Sequence, residues 1–234
     1  MDSNPLERER GITILAKNTS VTYKDVKINI IDTPGHADFS GEVERVMNMA
    51  DGCLLVVDAI DGPMPQTHYV LRKALEQGVI PIVVINKIDR PETALSSVID
   101  DIHDMFLRLA ISDDQLDFPI LYSSAKDGYA VHDPEREGID MQPLFETILD
   151  RVPIPSGDKE GSFQMLAAAL DFDNHLGQIV IGRISRGTIR SKSGVVLLRP
   201  SGESKVFTLD RIYVFKGLER LEVAVASAGE IVAL

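Results

Sequence analysis

The sequence predicts a mixed α/β protein: a mostly parallel sheet in its first part, followed by a small antiparallel β-barrel. Up to about residue 152, short apolar runs alternate with segments of helical periodicity, as in a sheet covered by helices. Residues 152–157 interrupt this pattern with two prolines two positions apart, which favours an extended linker. Beyond the linker, the apolar runs become short, strand-like and punctuated by glycine.

The linker places the domain boundary. We expect a first domain at residues 1–157 and a β-barrel domain at residues 158–234. No apolar run approaches the roughly 20 residues needed to span a bilayer, and the charged N-terminus lacks the apolar core of a signal peptide. We therefore expect a protein of the bacterial cytosol, or of an organelle's stroma or matrix, without a membrane partner.

The elements of the first domain follow from local patterns. The first is a hairpin over 21–32, turning at Lys24-Asp25. Next comes a helix capped by Asp38, with Phe39, Val43, Val46, Met47 and Ala50 on one face. Three further helices are expected from Pro65 to Gly78, over Leu95–Leu109 and at 144–152. Strands at 53–57, 82–85 and 118–122 alternate with these helices. In the second domain, we expect strands at 164–170, 178–184, 195–198, 206–209, 212–215 and 231–234.

The charge is unevenly divided along the chain. The net charge is −12. Residues 1–157 hold 14 Lys and Arg against 27 Asp and Glu, a net charge of −13, whereas residues 158–234 hold 10 against 9, a net charge of +1. An acidic surface repels nucleic-acid phosphates, so DNA is not an expected partner. An RNA-facing surface would lie in the second part or in a partner.

The first motif is Asp32-Thr33-Pro34-Gly35-His36. It follows an apolar run, so we expect it at the carboxyl end of a buried strand, where open α/β sheets bind ligands. The Asp32 carboxylate suits a hydrated Mg²⁺, and Gly35 can bring its N–H close to a terminal phosphate. His36 can orient a water for in-line attack on that phosphate. The alternative is an ordinary Pro-Gly turn with a solvated histidine.

The second motif, Asn86-Lys87-Ile88-Asp89, ends another apolar run. A carboxylate accepts hydrogen bonds and cannot donate them, and guanine presents two adjacent donors where adenine presents an acceptor. A buried Asp89 would thus discriminate between the two bases by a factor on the order of 10⁴. Lys87 can lay its stem over the base, and the amide of Asn86 can tie neighbouring loops together. A polar surface loop is the alternative.

Two further segments are less specific. Ser124-Ala125-Lys126 follows the strand ending at Tyr122 and can offer backbone N–H groups to the guanine O6, although such a tripeptide is more often simply a loop. Residues 7–13 are charged and then β-branched. They are either a solvated lead into a strand or a switch loop whose Thr13 hydroxyl binds Mg²⁺ while a γ-phosphate is present.

Together these motifs resemble the translational GTPases related to elongation factors Tu and G. Four finer features are similar to the TypA/BipA family: Met1-Asp-Ser-Asn4, Leu15-Ala-Lys-Asn18, Gly62-Pro-Met-Pro-Gln-Thr67 and Asn86-Lys-Ile-Asp-Arg-Pro91. Two segments of the second part, Gly177–Ile184 and Ala228–Leu234, resemble the β-barrel domain of this family. The resemblance covers the whole chain, as the middle part of a complete family member.

The resemblance implies a P-loop-type GTPase domain followed by the barrel, with GTP hydrolysis stimulated by the ribosome and roles in ribosome assembly and stress adaptation. It implies His36 as the residue that positions the hydrolytic water, Thr13 and Asp32 at Mg²⁺, and Gly35 at the γ-phosphate. The guanine of GTP or GDP would be held by Asn86, Lys87, Asp89, Ser124, Ala125 and Lys126. The implied partner is the ribosome, through its rRNA and proteins.

Two alternatives stay open. One is a ribosome-binding module that neither binds nor hydrolyses GTP, and the sequence upstream of Met1 would discriminate, because a phosphate loop there favours the GTPase. The other is a relative of elongation factor G or of the ribosome-protection proteins, which Asp89-Arg-Pro91 and Gly62-Pro-Met-Pro65 disfavour.

The sequence departs from the family in one respect: the G-x-x-x-x-G-K-[ST] phosphate loop is not found among these 234 residues. A complete member would carry this loop upstream of Met1, together with the first strand and first helix. In the family that strand lies between the strands ending at Asp32 and at Asp58. We expect the resulting gap to be filled by re-pairing of these two strands, by a partner chain, or by segments outside these 234 residues.

The 234-residue chain by itself is therefore expected to bind GDP negligibly and to lack GTPase activity. Losing four charge-assisted hydrogen bonds of about 1.5 to 3 kcal/mol each weakens binding by at least about four decades. Titration with fluorescent GDP measures this, and binding in the sub-micromolar range would contradict the expectation.

Overall fold

The computed structural model describes residues 16–34, 40–173 and 177–234. The expected N-cap Asp38 and the apolar Phe39 lie outside these residues. The chain divides into two compact units, one from Gly35 to Ile154 and one that joins the residues up to Pro34 with those from Pro155 onward. A domain boundary at 157/158 stays our proposal.

The helices and strands are numbered in chain order. The helices are α1 (Ser40–Met47), α2 (Pro65–Glu76), α3 (Leu95–Leu109) and α4 (Gln142–Arg151), with a 3-10 turn at Asp113–Leu116. The strands are β1 (Lys17–Tyr23), β2 (Val26–Asp32), β3 (Gly52–Asp58), β4 (Ile80–Asn86), β5 (Ile120–Ser124), β6 (Tyr129–Val131), β7 (Gln164–Met165), β8 (Ala169–Asp173), β9 (Gly177–Arg186), β10 (Thr188–Arg190), β11 (Gly194–Leu198), β12 (Ser204–Thr208), β13 (Ile212–Lys216), β14 (Glu219–Val223), β15 (Val225–Ser227) and β16 (Ile231–Ala233).

Two of the helices, α2 and α3, begin and end where the local sequence predicts. α2 starts at Pro65, whose fixed φ and missing N–H suit a first turn. It is followed by Gly78 at φ 70°, a left-handed conformation that glycine adopts without a steric penalty. α3 buries Val98, Ile102, Met105 and Phe106 along one face. The periodicity therefore defined both helices correctly.

The first unit contains a four-stranded sheet in the order β3-β4-β5-β6. β3, β4 and β5 are parallel, and β6 adds an antiparallel edge that the sequence pattern did not predict. In the ladder, Asp58 lies opposite Asn86, and Asn86 lies opposite Ser123. The predicted mostly parallel α/β sheet is confirmed.

Helices cover both faces of this sheet. Leu55, Val57, Val83 and Ile85 point towards α2 and α3 and belong to the main core, which includes the fully buried Phe106. On the opposite face, Ile82, Val84 and Leu121 pack against partly buried residues of α4. Alternate residues of β4 thus enter two different cores, which explains why its sequence is continuously apolar.

The strand ending at Asp32 does not join this sheet. Among the described strands, β2 pairs only with β1, and β3 pairs only with β4. The expected re-pairing of the strands ending at Asp32 and Asp58 is therefore absent from the described part of the chain. Leu54 and Val56 of the edge strand β3 are correspondingly exposed, by 42% and 57%. The expectation of a buried strand before Asp32 is wrong, because the residues of β2 are partly buried or exposed and, among the described strands, β2 pairs with β1 alone.

The β1–β2 hairpin belongs to the second unit. Its two-residue turn has Lys24 at φ 47° and Asp25 at φ 63°, the left-handed pair of a turn whose twist matches the flanking strands. Ser20 exchanges backbone hydrogen bonds with Gly217, at 3.0 and 3.3 Å, and its hydroxyl donates to the Phe215 carbonyl at 2.8 Å. The hairpin is thereby anchored to the turn between β13 and β14.

The rest of the second unit is antiparallel. β14-β13-β16-β9-β7 form its largest sheet, with β8 also paired to β9, while β10–β15 and β11–β12 are separate pairs. These strands surround one core that contains Ile184, Ile189, Ile212 and Val232. The antiparallel barrel-like half is confirmed, but its ladders do not close into one continuous barrel within the described residues. None of the described helices is long and apolar enough to cross a membrane.

Cys53 provides a chemical test of the packing around β3. It packs against two of the cores, and burial raises the pKa of its thiol to about 11. A raised pKa keeps the thiol protonated near neutral pH, and the thiolate is the reactive form.

At pH 8 the alkylation of native Cys53 by iodoacetamide should thus be about a hundredfold slower than that of the denatured chain, because its thiolate fraction is lower by about that factor. The native rate should rise as the pH approaches 11. Equal native and denatured rates at pH 8 would contradict this packing.

Candidate functional site

The second motif lies at the carboxyl edge of the parallel sheet. Asn86 ends β4, and the parallel ladder brings it beside Ser123 near the end of β5. The loops that follow these two strands therefore leave the sheet side by side. Such an edge is where open parallel sheets place their ligands.

Asn86 ties the two loops together. Its Oδ1 accepts hydrogen bonds from the Ala125 N–H at 3.0 Å and from the Ser123 hydroxyl at 3.2 Å. The Ile88 N–H donates to the Ser123 carbonyl at 3.2 Å. The tie expected from the amide of Asn86 is present, and it holds the second motif against the loop after β5.

The loop after β5 is a closed turn. The buried Ser124 hydroxyl donates to Asp127 Oδ2 at 2.7 Å, and the Gly128 N–H donates to the Ser124 carbonyl at 2.8 Å. Because Ala125 donates its N–H to Asn86, it supports the loop rather than presenting that N–H outward. The exposed Lys126 is then the residue of the predicted tripeptide whose N–H has no recorded acceptor within the described part of the chain.

Asp89 is exposed, so the expectation of a buried aspartate is wrong. Lys87 has φ 71°, and the turn that it starts lifts the chain away from β4 before Asp89 is reached. The Arg90 N–H donates to the Lys87 carbonyl at 3.2 Å and closes this turn. The Asp89 carboxylate consequently stands at the rim of the sheet, where it can accept hydrogen bonds from a ligand.

A residue that the sequence patterns did not single out also belongs to this edge. Asp58 ends β3, and its carboxylate forms an ion pair with the Lys87 ammonium. The Lys87 hydrogen bond holds the pKa of Asp58 below its ordinary value, and the Ile60 N–H acts in the same direction. The signal was available, because Asp58 follows the apolar run 53–57 as Asn86 follows 82–85.

The first motif is only partly described. Asp32 is the half-buried last residue of β2, in the second unit. Gly35, His36 and Thr13 lie outside the described residues. Within the described ranges, no group of three or more His, Cys, Asp and Glu side chains is arranged to hold a metal ion. A single carboxylate fits Mg²⁺ only where phosphate and water oxygens complete its coordination, so no chemical step is assigned to a metal here.

Comparison with known proteins identifies the family. Residues 1–154 match the family described as the elongation factor Tu GTP binding domain. The chain is 51% identical over all 234 residues to the large ribosomal subunit assembly factor BipA of Bacillus subtilis, and 52% identical to that of Escherichia coli K12. It spans 38% and 39% of the lengths of these two relatives. The expected resemblance to the TypA/BipA family is confirmed.

Solved structures show the same fold. The crystal structure of a bacterial selenocysteine-specific elongation factor covers the whole chain with a TM-score of 0.75 and 23% identity, and the chain covers 37% of it. The elongation factor SelB of Methanococcus maripaludis, in complex with the GTP analogue GPPNHP, also has a TM-score of 0.75, with 25% identity. That match covers 94% of this chain and 45% of SelB.

Replacing Asn86 by alanine tests the tie between the loops. The substitution leaves the buried Ser123 hydroxyl and the Ala125 N–H without their acceptor, which should lower the free energy of unfolding by about 1 to 3 kcal/mol. The matched control is Asn48→Ala, which removes an exposed bond to the Glu44 carbonyl and should change stability by less than about 0.5 kcal/mol. Urea denaturation measures both, and equal effects would rule out the special role of Asn86.

Proposed function

The chain belongs to the elongation factor Tu-type GTP-binding family, and from this membership we propose that it is the guanine-recognising and barrel part of a BipA-type GTPase of the ribosome. Such a protein binds GTP and GDP, hydrolyses GTP on the ribosome, and serves ribosome assembly and stress adaptation. The identity of 51% and 52% over the whole of this chain to two BipA relatives supports this assignment.

The observation that carries the proposal is the tied pair of loops at the carboxyl edge of the sheet. Asn86 joins the second motif to the loop after β5 through its Oδ1, so both loops are ordered before a base arrives. Asp89 stands exposed at the same rim. A carboxylate at this position accepts the two adjacent donors of guanine and finds no matching pair of donors on adenine.

Within this proposal each remaining residue has a separate task. Lys87 lays its stem over the base, and Lys126 offers its backbone N–H to the guanine O6, with Ser124 and Ala125 shaping that turn. Gly35 lies at the γ-phosphate and His36 orients the attacking water. Thr13 and Asp32 would hold Mg²⁺, which when bound neutralises phosphate charge.

The ribosomal part of the proposal comes from the relatives. Their printed names describe assembly factors of the large ribosomal subunit, and we extend this role to the present chain. Its second part, with a net charge of +1 against −13 for the first, is the part better suited to approach rRNA and ribosomal proteins. A place in the cytosol, or in the interior of an organelle with ribosomes, follows from this role.

Base selectivity tests the proposal without depending on tight phosphate binding. Saturation-transfer NMR at millimolar concentration should show stronger contact for GMP than for AMP. In Asp89→Asn the side chain gains an N–H₂ donor, so preference should move from GMP to XMP, whose base carries an oxygen where guanine has its 2-amino group.

The matched control is Asp100→Asn, which makes the same chemical change at an exposed position of α3. It should retain the wild-type preference for GMP. Equal contact for GMP and AMP in the wild type, or an unaltered preference in Asp89→Asn, would overturn the proposed guanine recognition.

A further inference from the structure

The carboxyl ends of β3 and β4 bring Asp58 next to the second motif. Asp58 lies opposite Asn86 in the parallel ladder, and the Ala59 N–H donates to the Asn86 carbonyl at 2.9 Å. The residue that follows Asn86 is Lys87. The backbone therefore fixes the distance between the Asp58 carboxylate and the start of the lysine side chain.

Asp58 is itself held on several sides. The Ile60 N–H donates to its Oδ1 at 2.9 Å, and the Gly62 N–H donates to its backbone carbonyl at 3.0 Å. Gly62 has φ 68°, which lets the chain turn sharply after the strand. The side chain of Asp58 is only 17% exposed. Its second oxygen, Oδ2, is thus presented from a rigid support.

That second oxygen accepts a hydrogen bond from the Lys87 ammonium. The Lys87 side chain is 44% exposed, and its backbone is in the left-handed region. An exposed lysine ordinarily samples many rotamers, because its four-carbon stem is flexible. Here the ammonium is bound to the neighbouring strand, and the stem must cross the space between the ends of β3 and β4.

We propose that Asp58 is a positioning residue that holds Lys87 in place for the guanine base. The inference rests on the proposed function, in which the lysine stem lies over the base. In the free protein the ion pair already restricts the stem, so less conformational entropy is lost when a nucleotide binds. Asp58 thereby contributes to affinity through Lys87 without touching the ligand.

The expected effect follows from the cost of immobilising one long side chain on binding. Asp58→Asn keeps the shape of the residue and removes the charge, so it should weaken GMP binding by about three- to tenfold. Asp58→Glu restores the carboxylate and should recover part of the loss. If the ion pair instead had to break before the base could bind, Asp58→Asn would tighten binding, and this result would overturn the proposal.

A double-substitution cycle separates positioning from a general structural role. In the Lys87→Met background, Asp58→Asn should change GMP affinity by less than about twofold, because the group through which it acts is gone. The matched control is Asp61→Asn, an equal charge change at an exposed position three residues away, which should leave affinity unchanged. Chemical-shift titration of the 234-residue chain with GMP at millimolar concentration, where weak base contacts are measurable, compares these affinities.

A second measurement examines the ion pair without any nucleotide. Carboxyl ¹³C NMR should show the pKa of Asp58 below its ordinary value in the wild type and shifted upward in Lys87→Met. An Asp58 pKa that is the same in both proteins would overturn the proposal even if the substitutions alter affinity.

The outcomes distinguish the inference from its premise. A wild type that prefers GMP over AMP, with an Asp58→Asn variant of equal GMP affinity, contradicts only the positioning role. A wild type without preference for GMP contradicts the proposed function and the inference together. Equal losses from Asp58→Asn in the wild-type and Lys87→Met backgrounds would assign Asp58 a purely structural role.

Discussion

The parallel register of β3, β4 and β5 is the constraint on which the candidate site depends. β4 is buried on both faces, because alternate side chains enter the core under α2 and α3 and the core under α4. A shift of one residue would exchange these two sets and place each against the wrong helices. The register is therefore specified by packing, and it sets Asp58, Asn86 and Ser123 side by side at the strand ends.

Polar groups at this edge fix the loops that follow the strands, whereas the apolar core aligns the strands themselves. The core can align the strands but cannot orient the loops that leave them, because those loops contribute little apolar surface. Asn86 orients the two loops by accepting hydrogen bonds from Ser123 and Ala125. The Asp58–Lys87 ion pair links the end of β3 to the loop after β4. Hydrogen bonds at the strand ends thus fix the start of these loops.

The hairpin that carries Asp32 depends on a different set of contacts. Its turn at Lys24 and Asp25 is formed locally, while Ser20 anchors it to the β13–β14 turn through backbone and hydroxyl hydrogen bonds. It is grouped with the second unit by these contacts. Asp32 and the second motif consequently belong to different compact units. The edge strand β3 keeps Leu54 and Val56 exposed.

Local patterns in the sequence determined the elements whose stability is local. The helices Pro65–Glu76 and Leu95–Leu109, the hairpin turn and the apolar strand β4 follow from periodicity, proline and glycine placement, and the family resemblance follows from short motifs. The short strands β6, β10, β14 and β15 escaped prediction, since they lack the continuous apolar runs that marked other strands of similar length.

Only the tertiary structure decided which strand ends meet. It excluded β2 from the parallel sheet, left Asp89 exposed and joined Asp58 to Lys87, residues 29 positions apart in the chain. The physical reason is that strand pairing and ion pairs between strands depend on partners distant in sequence. Their choice is made by the burial of whole faces, which no local pattern encodes.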